Sequence, residues 1–505
     1  MAIRTSKEDL KNTAFNRPLP LRRPLSKMIL QFVLPSIIAL SSASGVRQAP
    51  LQRSEQGTQV LYSPKLIAEL KQIQQAALTS DYAYDQLAYI TRRIGPRLSG
   101  SAQAQEAVEY VAGELRRLGL EVRLEKLAVP HWVRGEETAE LVNLSGEPTQ
   151  RIVLTTLGGS TATASNGLTA EVVTVHSFEE LEELGSEKVK GKIVLFNRPF
   201  DQQMAAQGFG GEAYGQVAIY RTTGPSAAAR LGAIAALVRS AGGSGFRLPH
   251  TGFIRYSNDA PRIPAGAVTT EDAELIADLV KEGPVRLHLK LTPRSLPDAV
   301  SYNVIADLKG TEHPEQIVIV SGHLDSWDLG TGAIDDGAGV VMALQTAQLL
   351  QRLKLRPKRT IRVIAWMSEE YGGVGGRAYA KTHAAELPNH VAAIESDLGA
   401  GHPLGFNIKA KQTVGPLLAR VSKVLQSSGA GLTRFTEGIE TDISPLADAG
   451  VPAFGLWQDS RTYFNYHHTA ADTLDKVVPR ELAENAAVMA VLAYAIADLP
   501  QELPR

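Results

Sequence analysis

The chain has no cysteine in its 505 residues. Disulfides, thiolate zinc sites, a cysteine nucleophile and a cysteine lipid anchor are therefore excluded. Any metal must be held by histidine and carboxylate. Net charge is nearly absent as well: 52 Lys and Arg face 53 Asp and Glu, leaving −1. That balance gives no global pull toward nucleic acid or anionic membrane. No apolar run makes a comfortable membrane span. Internal repeats and low-complexity tracts are missing too.

What is present is ordinary in composition, with 44% hydrophobic and 21% charged residues. The length predicts two or three domains. The amino terminus has a basic lead (Arg4, Lys7, Lys11, Arg17, Arg22, Arg23, Lys27), then Met28–Leu40, a short apolar stretch broken by Pro35. Small residues follow at Ser41–Gly45. This is the three-part layout of an export signal over residues 1–45. An uncleaved anchor and a misplaced start are the competing readings, and the export route stays open.

Patterning divides the rest. Helices are predicted at Pro64–Leu78, Asp81–Arg93 and Ala102–Leu118, the last with Gly119 as C-cap, and a strand at Leu120–Val129. The block 136–295 changes character, with short strands, many glycines and alanine-rich stretches. It is predicted to hold a strand at Lys188–Asn197, a helix at Gly224–Arg239 and a helix at Thr269–Lys281 capped by Thr269 or Thr270. Few histidines or carboxylates cluster there, so it is expected to do no chemistry itself. After Ser301 strands and helices alternate. Strands are predicted at Tyr302–Leu308, Gln316–Val320, Thr360–Met367, His390–Ile394 and Val451–Leu456. Helices are predicted at Asp336–Leu353, Gly375–Ala385, Val414–Ser427 and Arg480–Leu499. The expected fold is α/β: a mixed, mostly parallel sheet covered by helices on both faces, built from 60–135 and 296–500, with a β-rich insertion.

The chemistry sits just past these strands, where open α/β sheets place their ligands. His323 follows QIVIV, and Asp325 and Asp335 lie in the glycine-rich loop SGHLDSWDLGTGAIDDGAG. Glu369 and Glu370 follow IAWMS, Asp397 follows HVAAIES, and His468 lies in YFNYHHTAADT. Each alone has a bland reading: a packed histidine, a solvated glutamate pair, a turn or capping aspartate. Together, two imidazoles and several carboxylates without thiolate suit two adjacent zinc ions. Trp327 and Trp366 read as core or cleft wall, and Asp472 as a turn cap.

Taken in order, GHLDSWDLGTGAIDDGAG, WMSEEYGGVGG, ESDLGA, TDISPLADAGVPA and YHHTAADT resemble peptidase family M28, the co-catalytic zinc exopeptidases. SWDLG and IGPRLSGS are most similar to its plasma glutamate carboxypeptidase branch. KVKGKIVLFNR, GAIAALVRSAGG and IPAGAVTTEDAELI resemble an inserted protease-associated (PA) domain. The resemblance implies the zinc exopeptidase fold and two Zn2+ per chain. It implies that Asp335 bridges them, that His323 and Asp397 complete one site, and that Glu370 and His468 complete the other. It implies Glu369 as general base, Asp325 as a catalytic support beside His323, and His467 near the oxyanion. It also implies a cis peptide between Asp335 and Asp336, a peptide substrate and a homodimer.

The implied activity is an exported, periplasmic or secreted exopeptidase acting on dipeptides or short peptides, dipeptidase- or carboxypeptidase-like. An aminopeptidase is the alternative. A non-catalytic binding protein of this fold would have lost ligands, and here every matching position is intact. A glutaminyl-cyclase-like acyltransferase would use one zinc.

Overall fold

A computed structural model describes residues 61–143, 145–243 and 245–505. The predicted export signal lies outside the described residues. Among them, no helix is long and apolar enough to cross a membrane.

The main sheet has eight strands. Its centre is four parallel neighbours: Arg359–Trp366, His313–His323, His390–Glu395 and Ala453–Gln458. Antiparallel pairing takes over on both sides, through Arg294–Leu308 and Glu121–Val133 at one edge and Pro403–Lys409 at the other. The last strand, Leu432–Phe435, runs parallel to Pro403–Lys409. Period two explains why the centre is apolar throughout. Val318 and Val320 enter one core with the helices Ala338–Arg352 and Pro479–Asp498. Ile317 and Ile319 enter another, with Tyr379 and Leu446 of the opposite layer. A sheet covered on both faces needs such continuous runs.

Register then aligns the chemistry. His323 pairs with Trp366, and Ser321 with Glu395. The carboxyl ends of three neighbouring strands therefore finish level. Glu369, Glu370 and Asp397 follow within a few residues of those ends.

Residues 137–291 form a second eight-stranded sheet, with cores of their own. Two local expectations fail here. Gly224–Arg239 is not one helix: the helix Gly210–Arg230 ends, Gly232 turns at φ +87°, and Ala235–Arg239 is a strand. That strand lies between two parallel neighbours, Ile193–Phe196 and Ala265–Val268. A short apolar run carries no periodicity that separates a buried strand from a helix. Lys188–Asn197 is not all strand either. Its start closes the helix Phe178–Val189, Gly191 turns at φ +76°, and pairing begins at Ile193. Thr269 caps the helix Thr270–Glu282, accepting a hydrogen bond from the Asp272 N–H.

Candidate metal centre and active site

The glycine-rich loop after His323 is held from two sides. Arg97, fully buried, donates to the carbonyls of Leu324 (2.7 Å), Thr331 (2.7 Å) and Gly332 (2.8 Å). Gly332 sits at φ +59°, and a Cβ there would meet Ser326 and the Arg97 guanidinium. From the other side Asp472 Oδ1 accepts from the N–H groups of Ala333 and Ile334, both at 2.8 Å. Asp472, expected only to cap a turn, thus ties the His468 segment to the Asp335 loop. The peptide between Asp335 and Asp336 is cis. Asp336 turns away from the cleft, accepting from the N–H groups of His323 and Gly339 at 2.9 Å each.

Asp335 presents its two oxygens to two groups. Oδ1 lies 3.1 Å from His323 Nε2, which is 3.2 Å from Asp397 Oδ1. Oδ2 lies 3.2 Å from His468 Nε2, which is 3.1 Å from Glu370 Oε2. Ligand atoms of His323, Asp335 and Asp397 fall within 4.8 Å of one another, as do those of Asp335, His467 and His468. His467 also approaches Asp335 Oδ2, at 3.4 Å, and stacks on His468 with centroids 3.6 Å apart. Contact with Glu370 distinguishes His468 from its neighbour.

The donor set fits divalent metal. It is nitrogen and oxygen only, as zinc accepts. Asp335 Oδ2 and Glu370 Oε1 are buried without a hydrogen-bond partner, as atoms that await a cation would be. Burial, with Asp335 beside it, pushes Glu370 up to about 8. Burial pushes Asp397 up to about 6, although His323 opposes the shift. A cation among these acids would favour their ionised forms.

Glu369 and Glu370 both reach the cleft because the chain turns a corner between them and the strand. Ser368 has φ +69°. Asp325 Oδ1 accepts from the N–H groups of Ser368 (2.7 Å) and Glu369 (3.0 Å) and so holds that corner. Asp325 holds the corner in addition to standing beside His323. His323 Nδ1 bonds the Asp325 backbone carbonyl at 3.0 Å, whereas the Asp325 carboxylate stands 3.8 Å away. The carboxylate is engaged with the glutamate corner. Trp327 packs edge-on to His468 and at a tilt against Tyr371, and Trp366 is wholly core.

A cavity of about 450 Å³ opens over Asp335, Glu369, Glu370, Asp397, His467 and His468. Its other wall comes from a different part of the chain. Residues of the 137–291 block line it directly: Tyr214, Arg221, Phe253 and Arg255. Single side chains spread over that block show no clustering in sequence, so nothing marked them there. Arg97 stood within IGPRLSGS, where a lone arginine among turn residues looks like a surface group.

Known proteins resemble this chain along most of its length. The profile of peptidase family M28 matches residues 303–493. Human carboxypeptidase Q is 38% identical over 427 residues, covering 84% of this chain and 87% of that protein. Aminopeptidase YwaD of Bacillus subtilis is 24% identical, covering 82% of this chain and 84% of that protein. The crystal structure of a peptidase M28 precursor from Shewanella amazonensis SB2B superposes with a TM-score of 0.83 at 38% identity, covering 87% of this chain and 98% of that one. A zinc aminopeptidase from Bacillus subtilis shares the fold, with a TM-score of 0.61 at 22% identity and 83% and 97% coverage. Similarity at this level along most of both chains places the protein in peptidase family M28, and it is a metallopeptidase.

Proposed function

We propose that this metallopeptidase is a di-zinc exopeptidase of dipeptides or short peptides, dipeptidase- or carboxypeptidase-like. The observation that carries the two-metal reading is the split of Asp335, one oxygen toward His323 and Asp397, the other toward His468 and Glu370. His323, Asp397 and Asp335 would hold one zinc; Asp335, Glu370 and His468 the other. When bound, zinc supplies Lewis acidity, lowering the pKa of water and drawing charge from the scissile carbonyl. Glu369, in the cavity and outside both ligand groups, takes the proton from the attacking water and passes it to the leaving amine. His467 faces the same space and is positioned to donate to the carbonyl oxygen as charge develops there. Asp325 supports the reaction by fixing the corner that carries Glu369.

The 137–291 sheet, with its own cores, is read as the inserted PA-like domain, and the flanking segments as the two parts of the peptidase domain. The basic and apolar amino-terminal sequence supports export, to periplasm or medium, and a homodimer remains part of the proposal.

Aminopeptidase action is the second reading, favoured by the relatives of that activity. The test combines metal content with turnover. The holoenzyme is expected to hold two zinc ions per chain and to cleave dipeptides. Glu369→Gln is expected to keep both ions and lose about 10²–10⁴ in kcat. One ion per chain in fully active enzyme would refute the two-metal reading. Full activity in Glu369→Gln would refute the base.

A further inference from the structure

Two arginines line the cavity together with the site's carboxylates, Arg221 and Arg255. Arg221 belongs to the helix Gly210–Arg230. The Arg255 N–H donates to the Thr222 carbonyl at 2.9 Å, so the two arginines leave the wall from adjoining backbone. Four other arginines, Arg134, Arg230, Arg239 and Arg247, each hold a carboxylate. Among the described residues, neither Arg221 nor Arg255 has an acidic partner.

The two are not equivalent. Arg221 is tied to the wall: its Nη1 donates to the Thr251 carbonyl at 3.2 Å and its guanidinium lies over the Tyr214 ring. That nitrogen is also 3.1 Å from His468 Nδ1. His468 Nδ1 itself points at the Thr251 carbonyl, 3.2 Å away. A protonated Nδ1 donating to Thr251 leaves Nε2 free for metal, and Arg221 then shares that carbonyl. Arg255 is exposed. It reaches to the loop after the catalytic glutamates, where a Cβ on Gly372 would lie 3.8 Å from Arg255 Nη2.

We propose that Arg255 binds the α-carboxylate of the substrate, with Arg221 behind it adding positive charge and holding the His468 carbonyl partner. The residue whose amine leaves would place its free carboxylate against Arg255, and the preceding carbonyl would lie over Asp335. A guanidinium suits a carboxylate because its planar donors match two oxygens at once. A cavity of about 450 Å³ lies within the range of small-ligand sites. The substrates are then dipeptides and peptides losing one carboxyl-terminal residue. This rests on the exopeptidase reading above.

The test uses zinc-loaded enzyme and three substrates: Ala-Ala, its carboxyl-terminal amide, and Ala-Glu with the α-carboxyl amidated. Wild type is expected to favour Ala-Ala over its amide. Arg255→Gln is expected to lower kcat/KM for Ala-Ala by about 10- to 150-fold, mainly through KM, and so to narrow the acid-to-amide ratio. Arg255→Lys keeps a point charge without the planar fork and should fall between. Calorimetry with zinc-loaded Glu369→Gln should show Ala-Ala binding weakened by the same factor when Arg255→Gln is added. Equal losses on acid and amide would overturn the proposal, as would a wild type that cleaves both equally. Arg255-dependent preference for amidated Ala-Glu would overturn the α-carboxylate assignment in favour of a side-chain carboxylate. If wild type cleaves the amide and Glu369→Gln abolishes that cleavage, the peptidase reading survives while the arginine assignment fails. If no peptide is cleaved at all, the exopeptidase reading itself has failed.

Discussion

Asp325→Ala removes the carboxylate that holds the corner between the strand Arg359–Trp366 and the two glutamates. Two hydrogen bonds are lost, from the Ser368 N–H at 2.7 Å and the Glu369 N–H at 3.0 Å. Bonds to a charged acceptor contribute about 1.5–3 kcal/mol each, so the corner loses roughly 3–6 kcal/mol of local support. Ser368, at φ +69°, costs about 1–2 kcal/mol as a left-handed non-glycine residue. With Asp325 present the bonds outweigh that cost; without it the corner relaxes and carries both glutamates with it. A misplacement of about 1 Å near the reacting atoms costs about 10²-fold, which is the expected fall in kcat. His323 is held by the Asp325 backbone carbonyl, which the substitution keeps, so metal on the His323 side should be retained. The assay is kcat on a dipeptide beside metal content per chain. Adding Ser368→Gly relieves the left-handed cost and should restore about 5- to 30-fold of the lost rate. Loss of both metals together with the rate, and no rescue by glycine, would refute the corner mechanism and return Asp325 to a role on His323.

Asp307 offers a test of stability away from the site. Arg362 grips it at 2.7 and 3.0 Å, with Arg123 and Lys309 nearby. Burial alone would raise the Asp307 carboxyl, but these cations hold it well below the usual carboxylate range. A depressed folded value means the contribution is complete above the unfolded value of about 3.9 and is lost as pH falls through the folded value. Asp307→Asn should cost about 3–5 kcal/mol at pH 7 by urea unfolding, and the gap to wild type should shrink below about pH 4. A gap unchanged at pH 3 would sink the ionic account. Asp328→Ala frees Arg134, which it holds at 2.8 and 2.6 Å, and should destabilise by about 1.5–3 kcal/mol, read as a lower Tm. An unchanged Tm would show that the wall docks without this pair.

The residues proposed to face the metals were legible in the sequence for a physical reason. A parallel sheet delivers its carboxyl ends to one edge, so His323, Asp335, Glu369, Glu370 and Asp397 each announce themselves as polar groups after an apolar run. Their mutual distances come from register, which is why His323 opposite Trp366 places Glu369 and Glu370 within reach. The work of Asp325 was not legible, because choosing between its carboxylate and its carbonyl depends on a few ångströms of loop path. The strand Ala235–Arg239 was missed because AALV has no period, and only its parallel neighbours decide its state. Asp472 and Arg97 were understated because each acts on backbone groups distant in sequence.

The SWDLG stretch, a branch-like signature in the sequence, acquires a mechanical sense in the fold. Ser326 Oγ accepts from the Arg97 N–H at 3.0 Å, fixing the loop to the peptidase side. Trp327 fills the space over Gly158, where any Cβ would overlap its ring. Asp328 grips Arg134, which also donates to Thr251 Oγ1 at 3.2 Å. The neighbouring Thr251 carbonyl is the one shared by Arg221 and His468. Three consecutive side chains therefore connect the glycine-rich loop to the wall that carries Arg221 and Arg255. On the proposed assignment, hydrolytic chemistry and substrate choice come from different parts of the chain, and this ledge sets the distance between them. A substrate carboxylate bound at the wall can present its peptide bond to Glu369 only while the ledge holds, so mutations in SWDLG should raise KM even where every metal ligand is intact.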